Sequence, residues 1–263
     1  QSQAGQQVVA FAERTQTPIA MTLLGLGGVA ASHELNLGMM GMHGEAWVNT
    51  ALQEADLLLA FGKRFDDRVT GNLKTYALNA KKIHIDIDPA EINKNVRVDV
   101  GLVGDLKDTL EQLMPQIENC DKSEWNTYVN GLKGDAAVRD IQNLPDNGHL
   151  YAAHVINDIW HATEGKAVVV TDVGQHQMWE AQYYKHDTPR SLITSGGLGT
   201  MGFALPAAIG AKLACPDKEV WVVVGDGGFQ MTMCELATIV QEQIDINVAI
   251  INNGYLGMVR QWQ

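Results

Sequence analysis

The chain has 263 residues, of which 46% are hydrophobic and 19% charged, and its formal net charge at pH 7 is −12. This length is enough for one large or two ordinary domains, and the acidic balance argues against nucleic acid or an anionic membrane as the main partner. The 3 cysteines are scattered and form no metal-type pair, which indicates a reducing compartment. No apolar run in the sequence approaches the length of a membrane span.

Strand and helix patterns alternate along the chain, as is typical of α/β folds with parallel sheets. The first half predicts, in order, a helix, a strand, a glycine-rich turn, a helix, two strands and a closing helix. These segments are Val8–Arg14, Ile19–Leu24, Gly25–Gly28, Glu45–Glu54, Leu57–Phe61, Lys82–Ile87 and Asp105–Ile117.

The second half repeats the alternation after a polar stretch that has no strand pattern. Its predicted helices and strands are His149–Thr163, Ala167–Thr171, Gly196–Ala214, Glu219–Val224, Met231–Ile244 and Ile246–Ile251. We therefore predict two domains, residues 1–120 and 149–263, joined by a linker over 121–148 that contains a helix. Each domain is expected to hold a parallel, doubly wound, Rossmann-like sheet.

The most informative pattern is Gly225–Phe229 (GDGGF), which follows one apolar strand, together with Asn252–Asn253, which follows the next. A right-handed βαβ unit places both polar tips at the carboxyl edge of one sheet, where open α/β sheets bind ligands. A carboxylate and an amide oxygen beside glycines suit a Mg²⁺ ion that carries a diphosphate. The alternative is an ordinary pair of turns rich in Gly and Asn.

This pattern resembles the signature of thiamine-diphosphate-dependent enzymes. By that resemblance the metal ligands are Asp226, Asn253 and the main-chain oxygen of Tyr255. The segments Asp172–Met178, Ser195–Gly202 and Gly254–Gln263 further resemble the catalytic subunit of acetohydroxyacid (acetolactate) synthases, and the likeness covers essentially the whole chain.

The resemblance implies that several loops contact thiamine diphosphate. The implied contacts are Val173, Gly174, Gln175, His176, Gly199, Met201, Asp226, Gly227, Gly228, Asn253, Tyr255, Leu256, Gly257 and Met258. Met201 would be the apolar wedge that keeps the cofactor bent, and Trp262 would shape the acceptor pocket with Met258 and Val259. The simpler interpretation makes Met201 and Trp262 packing residues and His176 a loop histidine.

A second group of polar residues follows strands in the first half. Asp86 ends one strand, where an acid can hold ribose hydroxyls, and Arg64 and Arg68 follow another, where guanidinium groups can meet phosphate. A surface cluster of compensating charges is the alternative. However, Arg64–Gly71 (RFDDRVTG) resembles the flavin-binding segment of the biosynthetic, FAD-containing synthases.

The flavin contacts implied by this resemblance span the first half. They are Thr22, Leu23, Leu24, Gly25, Met40, Gly41, Met42, His43, Gly62, Arg64, Asp67, Arg68, Val69, Asp86, Ile87, Glu91 and Asp105. Five histidines receive no site role and are interpreted as surface or helix residues. These are His33, His149, His154, His161 and His186.

The resemblance implies a reaction in which pyruvate is decarboxylated and its hydroxyethyl group is transferred to a second pyruvate or to 2-ketobutyrate. The products are 2-acetolactate and 2-aceto-2-hydroxybutyrate, in the first common step of branched-chain amino-acid biosynthesis. The implied protein is a cytoplasmic bacterial (or organellar eukaryotic) homodimer or tetramer with active sites between subunits and a possible regulatory small subunit.

The family's catalytic glutamate lies on an N-terminal domain that would precede Gln1. We therefore expect the chain to be a fragment, without that domain and without the first strand of the central domain, and to be inactive in isolation. Three alternatives stay open: another thiamine-diphosphate carboligase or decarboxylase, a nicotinamide oxidoreductase that uses Gly25–Gly28, and a binding module without turnover.

Overall fold

The structure is a computed structural model that describes residues 2–136 and 148–263. Within these residues the chain divides into two compact units, one formed by 2–22 and 33–136 and the other by 23–32 and 148–263. The linker predicted over 121–148 lies partly outside the described residues. Its described part contains a helix, as predicted, and the domain bounds stay a prediction.

The first unit is built from short parallel strands and their helices. Its elements are α1 (Gly5–Thr15), β1 (Ile19–Met21), β2 (Asn36–Met39), α2 (Ala46–Glu54), β3 (Leu57–Phe61), α3 (Asp67–Thr70), β4 (Lys81–Asp86), β5 (Val100–Val103), α4 (Leu106–Leu113) and α5 (Ser123–Ala136). β1 pairs with β2 in one sheet, and β3, β4 and β5 pair in that order in another, all in parallel.

The second unit contains one larger sheet. Its elements are α6 (Ala152–Ala162), β6 (Val168–Thr171), α7 (Gln175–Tyr183), β7 (Leu192–Thr194), α8 (Ala204–Ala214), β8 (Val220–Gly225), α9 (Asp226–Thr232), α10 (Leu236–Gln241), β9 (Asn247–Ile251) and α11 (Gly257–Trp262). The strand order is β7-β6-β8-β9, and every pair is parallel.

Both faces of this sheet are buried at its two central strands, β6 and β8. Val168 and Val222 pack with α8 in one apolar cluster, whereas Val169 and Val223 pack with Ile156 of α6 in another. Successive side chains of a strand point to opposite faces, so a strand covered on both sides must be apolar at every position. The valine runs of β6 and β8 are therefore explained by their central place in the sheet.

The predicted parallel α/β architecture is confirmed, with several differences in detail. The helix predicted over Met231–Ile244 begins at Asp226 and is interrupted by a 3₁₀ turn at Met233–Glu235. The strand predicted over Ile19–Leu24 ends at Met21, and Leu23–Gly25 forms a 3₁₀ turn. The short strands β2, β5 and β7 were not predicted, because three or four residues carry too little periodicity. No helix in the described ranges has both the length and the apolarity needed to cross a membrane.

Candidate active site at the carboxyl edge of the second sheet

The register of β8 and β9 brings the two motif segments together. Gly225 lies opposite Ile251 at the ends of these neighbouring strands. Asp226 and Asn252 therefore leave the same sheet edge, from strands that lie about 4.8 Å apart. Asp172, which follows β6 on the other side of β8, donates its backbone N–H to the oxygen of Val223 at 2.9 Å. Three strand ends thus deliver polar residues to one edge.

The loop after β9 is fixed to the beginning of α7 by side-chain amides. Asn253 Nδ2 donates to Gln175 Oε1 at 3.0 Å, and Gln175 Nε2 donates to Gln261 Oε1 at 3.2 Å. The Asn253 Oδ1 atom accepts the backbone N–H of Tyr255 at 3.1 Å. These bonds orient Asn253 and the Tyr255 backbone, the two proposed metal ligands of this loop.

Glycines in the motif make room for close neighbours. A Cβ atom on Gly228 would lie 1.9 Å from Asp172 Oδ2, and one on Gly225 would lie 3.0 Å from His176 Cε1. A Cβ atom on Gly227 would lie 3.1 Å from Leu256 Cδ2 and 3.7 Å from Met201 Cε. The glycines therefore let acidic, imidazole and apolar side chains converge on the edge where Asp226 begins α9.

Asp172 has a structural role that the sequence interpretation missed. Its side chain is fully buried, and its carboxylate accepts the backbone N–H groups of Gly202 at 3.0 Å and Phe203 at 3.1 Å. These bonds hold the turn that carries Gly199 and Met201. The sequence carried a signal for this role, because Asp172 directly follows an apolar strand. The resemblance, however, assigned cofactor contacts only to the residues that come after it.

His176 is buried beside the motif and is 7% exposed. Burial lowers the pKa of His176 to about 4, although the carboxylates of Asp172 and Asp226 act in the opposite direction. The ring is therefore neutral near pH 7, and among the described residues its Nε2 atom has no hydrogen-bond partner. A buried nitrogen of this kind calls for a partner from elsewhere. A diphosphate oxygen would accept a hydrogen bond from it in the tautomer that carries the ring proton on Nε2.

A cavity of about 380 Å³ opens at this edge. Its lining residues are Gln175, Asn253, Tyr255, Gly257, Arg260 and Gln261. Four of these belong to the implied thiamine-diphosphate contacts, whereas Arg260 and Gln261 were not predicted. The Arg260 guanidinium stacks 3.8 Å above the Tyr255 ring and is the charged group in this lining.

The candidate metal ligands suit a hard cation. The described residues contain no group of three or more His, Cys, Asp or Glu side chains placed to hold a metal. The proposed set needs no such group, because it combines one carboxylate, one amide oxygen and one main-chain oxygen. Mg²⁺ is typically bound by one or two carboxylates, with other oxygens, water and substrate phosphate completing its octahedral shell. The residues at this edge therefore fit a diphosphate-bound Mg²⁺.

The remaining implied contacts lie around this edge. Val173 and Gly174 lead into α7, whose first turn leaves backbone N–H groups without intrahelical partners, as anion sites require. Met258 and Trp262 lie on α11, and Trp262 is 61% exposed. Their roles in an acceptor pocket stay a prediction.

The first unit brings part of the implied flavin set together. Met42 donates its backbone N–H to the oxygen of Arg68 at 2.8 Å, and a Cβ atom on Gly41 would lie 2.8 Å from the same oxygen. The loop Met40–His43 therefore lies directly against Arg68 and Val69. Burial, followed by the charge of Arg68, lowers the pKa of His43.

The arginines of this segment form only loose surface ion pairs. Arg64 contacts Asp66 at 3.4 Å, and Arg68 contacts Asp67 at 3.3 Å. Exposed pairs of this kind contribute at most about 1 kcal/mol, so both guanidinium groups can exchange them for a phosphate. Gly62 has a φ of +60° and open space beside it, which allows a ligand to approach the backbone. The loop and the segment fit a flavin nucleotide.

Other members of the implied flavin set already have protein partners, are exposed, or belong to the second unit. Asp86 is buried and accepts the backbone N–H of Asp88, Glu91 pairs with Lys94, and Asp105 caps α4. Ile87 is 65% exposed. Thr22 belongs to the first unit, whereas Leu23, Leu24 and Gly25 belong to the second. There a Cβ atom on Gly196 would lie 2.8 Å from Leu24 Cδ2.

The interpretation of His186 as a surface or helix residue was wrong. His186 is 2% exposed, and its ring lies between Glu180 Oε1 at 2.8 Å and Ser191 Oγ at 2.7 Å. Glu180 belongs to α7, the helix whose first turn carries Gln175 and His176. The pair therefore anchors the opposite end of this helix in the core.

Two family descriptions match most of the chain. The description "Thiamine pyrophosphate enzyme, central domain" matches residues 1–113, and "Thiamine pyrophosphate enzyme, C-terminal TPP binding domain" matches residues 172–263. The first match contains every implied flavin residue, and the second contains the implied thiamine-diphosphate and metal residues.

Curated relatives are similar along the whole chain. The chain is 48% identical to the acetolactate synthase of Mycobacterium bovis, and the alignment covers 99% of this chain and 43% of that protein. It is 50% identical to the acetolactate synthase large subunit of Lactococcus lactis, covering 97% and 44%. Identity to acetolactate synthase 1, chloroplastic, of Nicotiana tabacum is 45%, covering 100% and 40%. The chain thus spans less than half the length of these relatives.

Proposed function

We propose that this chain, which belongs to the thiamine pyrophosphate enzyme family, is the central and C-terminal part of an acetolactate synthase large subunit. The observation that carries the proposal is the shared edge of β8 and β9, where Asp226 and Asn253 follow neighbouring strands and the His176 ring is buried against Gly225. Similarity to acetolactate synthases over 99% of the chain supports it. In this proposal residues 1–120 bind FAD, 121–148 form the linker and 149–263 bind thiamine diphosphate.

The residues at the sheet edge divide the work of holding the cofactor. Asp226, Asn253 and the Tyr255 backbone hold Mg²⁺, while the first turn of α7 and His176 meet the diphosphate. Met201 and Leu256, which converge at Gly227, exclude water from the reacting centre. When bound, thiamine diphosphate supplies the carbon nucleophile that permits decarboxylation of a 2-ketoacid.

The substrates and assembly follow from the same proposal. Pyruvate is the donor, and a second pyruvate or 2-ketobutyrate is the acceptor, in the first common step towards valine, leucine and isoleucine. The full subunit forms a homodimer or tetramer with active sites between subunits, and the words "large subunit" in the name of a relative suggest a smaller regulatory partner. We place a bacterial form in the cytoplasm and a eukaryotic form in an organelle.

The test uses the full-length protein that contains this chain. Asp226→Ala should weaken Mg²⁺-dependent binding of thiamine diphosphate at least about tenfold by calorimetry, because a metal ligand is lost. The same variant should lose acetolactate formation from pyruvate. Asp217→Ala, at an exposed position between α8 and β8, is the matched control and should change neither. Unchanged affinity in Asp226→Ala would refute the site.

The alternatives are weaker in the light of the structure. A nicotinamide site at Gly25–Gly28 requires a turn that opens a helix after a strand. Instead Leu23–Gly25 is a 3₁₀ turn, and a Cβ atom on Gly27 would lie 2.5 Å from the oxygen of Thr188. These glycines serve packing within the second unit. Another thiamine-diphosphate carboligase would be distinguished by its products from pyruvate.

A further inference from the structure

Lys63 is the second residue after β3 and lies between Gly62 and Arg64, two of the implied flavin contacts. Its Nζ atom donates to the Tyr76 hydroxyl at 2.9 Å and to Met40 Sδ at 3.5 Å. The amine also lies 4.8 Å from the centroid of the Phe65 ring and 5.3 Å from that of Tyr76. The residue as a whole is half-buried, but its amine is surrounded by these side chains.

This environment is unfavourable for an ammonium group. Within the described residues no carboxylate comes within ion-pair distance of Lys63, and Asp66 acts on it only from further away. Burial lowers the pKa of Lys63 to about 7. An apolar side chain of similar length would suit the site better on stability alone, because burying an amine without a counter-charge costs free energy.

The contacts of Lys63 join two parts of the first unit. Tyr76 and Phe65 belong to the apolar cluster beneath β3, and Met40 begins the loop Met40–His43. That loop is also tied to the flavin segment by the bond from Met42 to Arg68 at its far end. Lys63 therefore supplies a second contact between the loop and the segment. This contact is made through Met40, at the end of the loop that follows β2.

We propose that Lys63 is a positioning residue that sets the loop Met40–His43 against the segment Gly62–Val69 for flavin binding. The inference rests on the proposed function, because it takes these two segments as the flavin contacts. Lys63 acts through Met40 and Tyr76 and need not touch the flavin itself.

The test compares flavin affinity with apoprotein stability in the full-length protein. Lys63→Met keeps the side-chain length and removes the amine, and Lys74→Met is the control at an exposed position nearby. After removal of flavin, FAD binding is titrated by quenching of its fluorescence, and thermal unfolding is followed without FAD. Lys63→Met should bind FAD at least about fivefold more weakly while its unfolding temperature stays equal or rises. Lys74→Met should match the wild type in both.

The outcomes separate the two proposals. Wild-type FAD affinity in Lys63→Met would overturn the positioning role. If Lys63→Met lost both stability and affinity, Tyr76→Phe would decide, because it removes the hydroxyl partner and keeps the ring. Weaker FAD binding by a stable Tyr76→Phe variant would support the role, and unchanged binding would overturn it. A wild-type protein that binds no FAD would refute the proposed cofactor and the role with it.

Discussion

The side-chain amide of Asn253 donates a 3.0 Å hydrogen bond to Gln175 Oε1, across 78 residues of sequence. The same oxygen is so close to Gly257 that a Cβ atom there would lie 2.0 Å away. The loop that follows β9 and the first turn of α7 are therefore interlocked. The orientation of Asn253, a proposed metal ligand, therefore depends on a residue of α7.

This interlock predicts that Gln175→Ala weakens cofactor binding without removing any metal ligand. The variant loses the hydrogen bonds to Asn253 and Gln261. The loop after β9 must then become ordered when the cofactor binds, and this ordering costs free energy. We expect an affinity loss of about 1 kcal/mol, or roughly fivefold, for thiamine diphosphate with Mg²⁺ in calorimetry. Gln112→Ala, at an exposed position on α4, should behave as wild type. Equal affinities for both variants would show that the interlock has no part in binding.

Two glycine substitutions should have opposite effects. In Gly228→Ala the new Cβ would meet Asp172 Oδ2 at 1.9 Å and displace the carboxylate that holds Gly202 and Phe203. We expect a destabilisation of about 2–4 kcal/mol and loss of cofactor binding. Gly210 lies in α8 with no atom within 4 Å of an added Cβ, so Gly210→Ala should stabilise by about 0.5–1 kcal/mol.

Chemical denaturation of the two variants measures both values. A Gly228→Ala protein as stable as wild type would show that Asp172 can move without cost, contrary to the role given to it.

His186 should matter for stability although it lies outside the proposed site. His186→Ala leaves the fully buried Glu180 carboxyl without its hydrogen-bond partner, and leaving a buried polar group unsatisfied costs about 1–3 kcal/mol. The measurement is urea unfolding, with the exposed His149→Ala as the control. A loss below about 1 kcal/mol would mean that the core repacks around Glu180.

Lys63 should make stability depend on pH above neutrality. Its pKa is about 7 in the folded protein and 10.5 for an unperturbed lysine. Between these values the unfolded chain binds a proton that the folded chain does not, so the free energy of unfolding rises with pH and levels off below pH 7. From pH 7 to pH 9 the wild type should gain about 2 kcal/mol more than Lys63→Met. Parallel curves for the two proteins would contradict the lowered pKa.

The sequence was most informative where residues are close along the chain. The apolar runs of β3, β6, β8 and β9 were found within one residue of their bounds. In β6 and β8 the run is continuous because a strand buried on both faces is apolar throughout. α7 was missed as a helix, since it buries Gln177 and Glu180 on its inner face and so lacks an apolar stripe. The same buried polar contacts made His186 look like a surface residue.

The same difference holds for the proposed site, where contacts within a motif were predicted and contacts between distant segments were not. Motif spacing predicted that Asp226 and Asn253 leave adjacent parallel strands, because strand geometry and a right-handed crossover allow few other arrangements. It did not predict that Asp172 binds the Gly202 turn, or that Gln175 holds Asn253. Those bonds join residues 30 and 78 positions apart and depend on how helices pack against the sheet.

The sequence by itself determined the alternation of helices and strands, the oxygen-rich motif after β8 and β9 and the likeness to thiamine-diphosphate enzymes. These depend on periodicity and residue type, which neighbouring residues carry. Only the tertiary structure decided that Gly228 must lack a side chain beside Asp172, that His186 is buried with Glu180, and that Lys63 ties Met40 to Tyr76. Such contacts arise when distant segments pack, and packing free energy is a property of the assembled core rather than of any one segment.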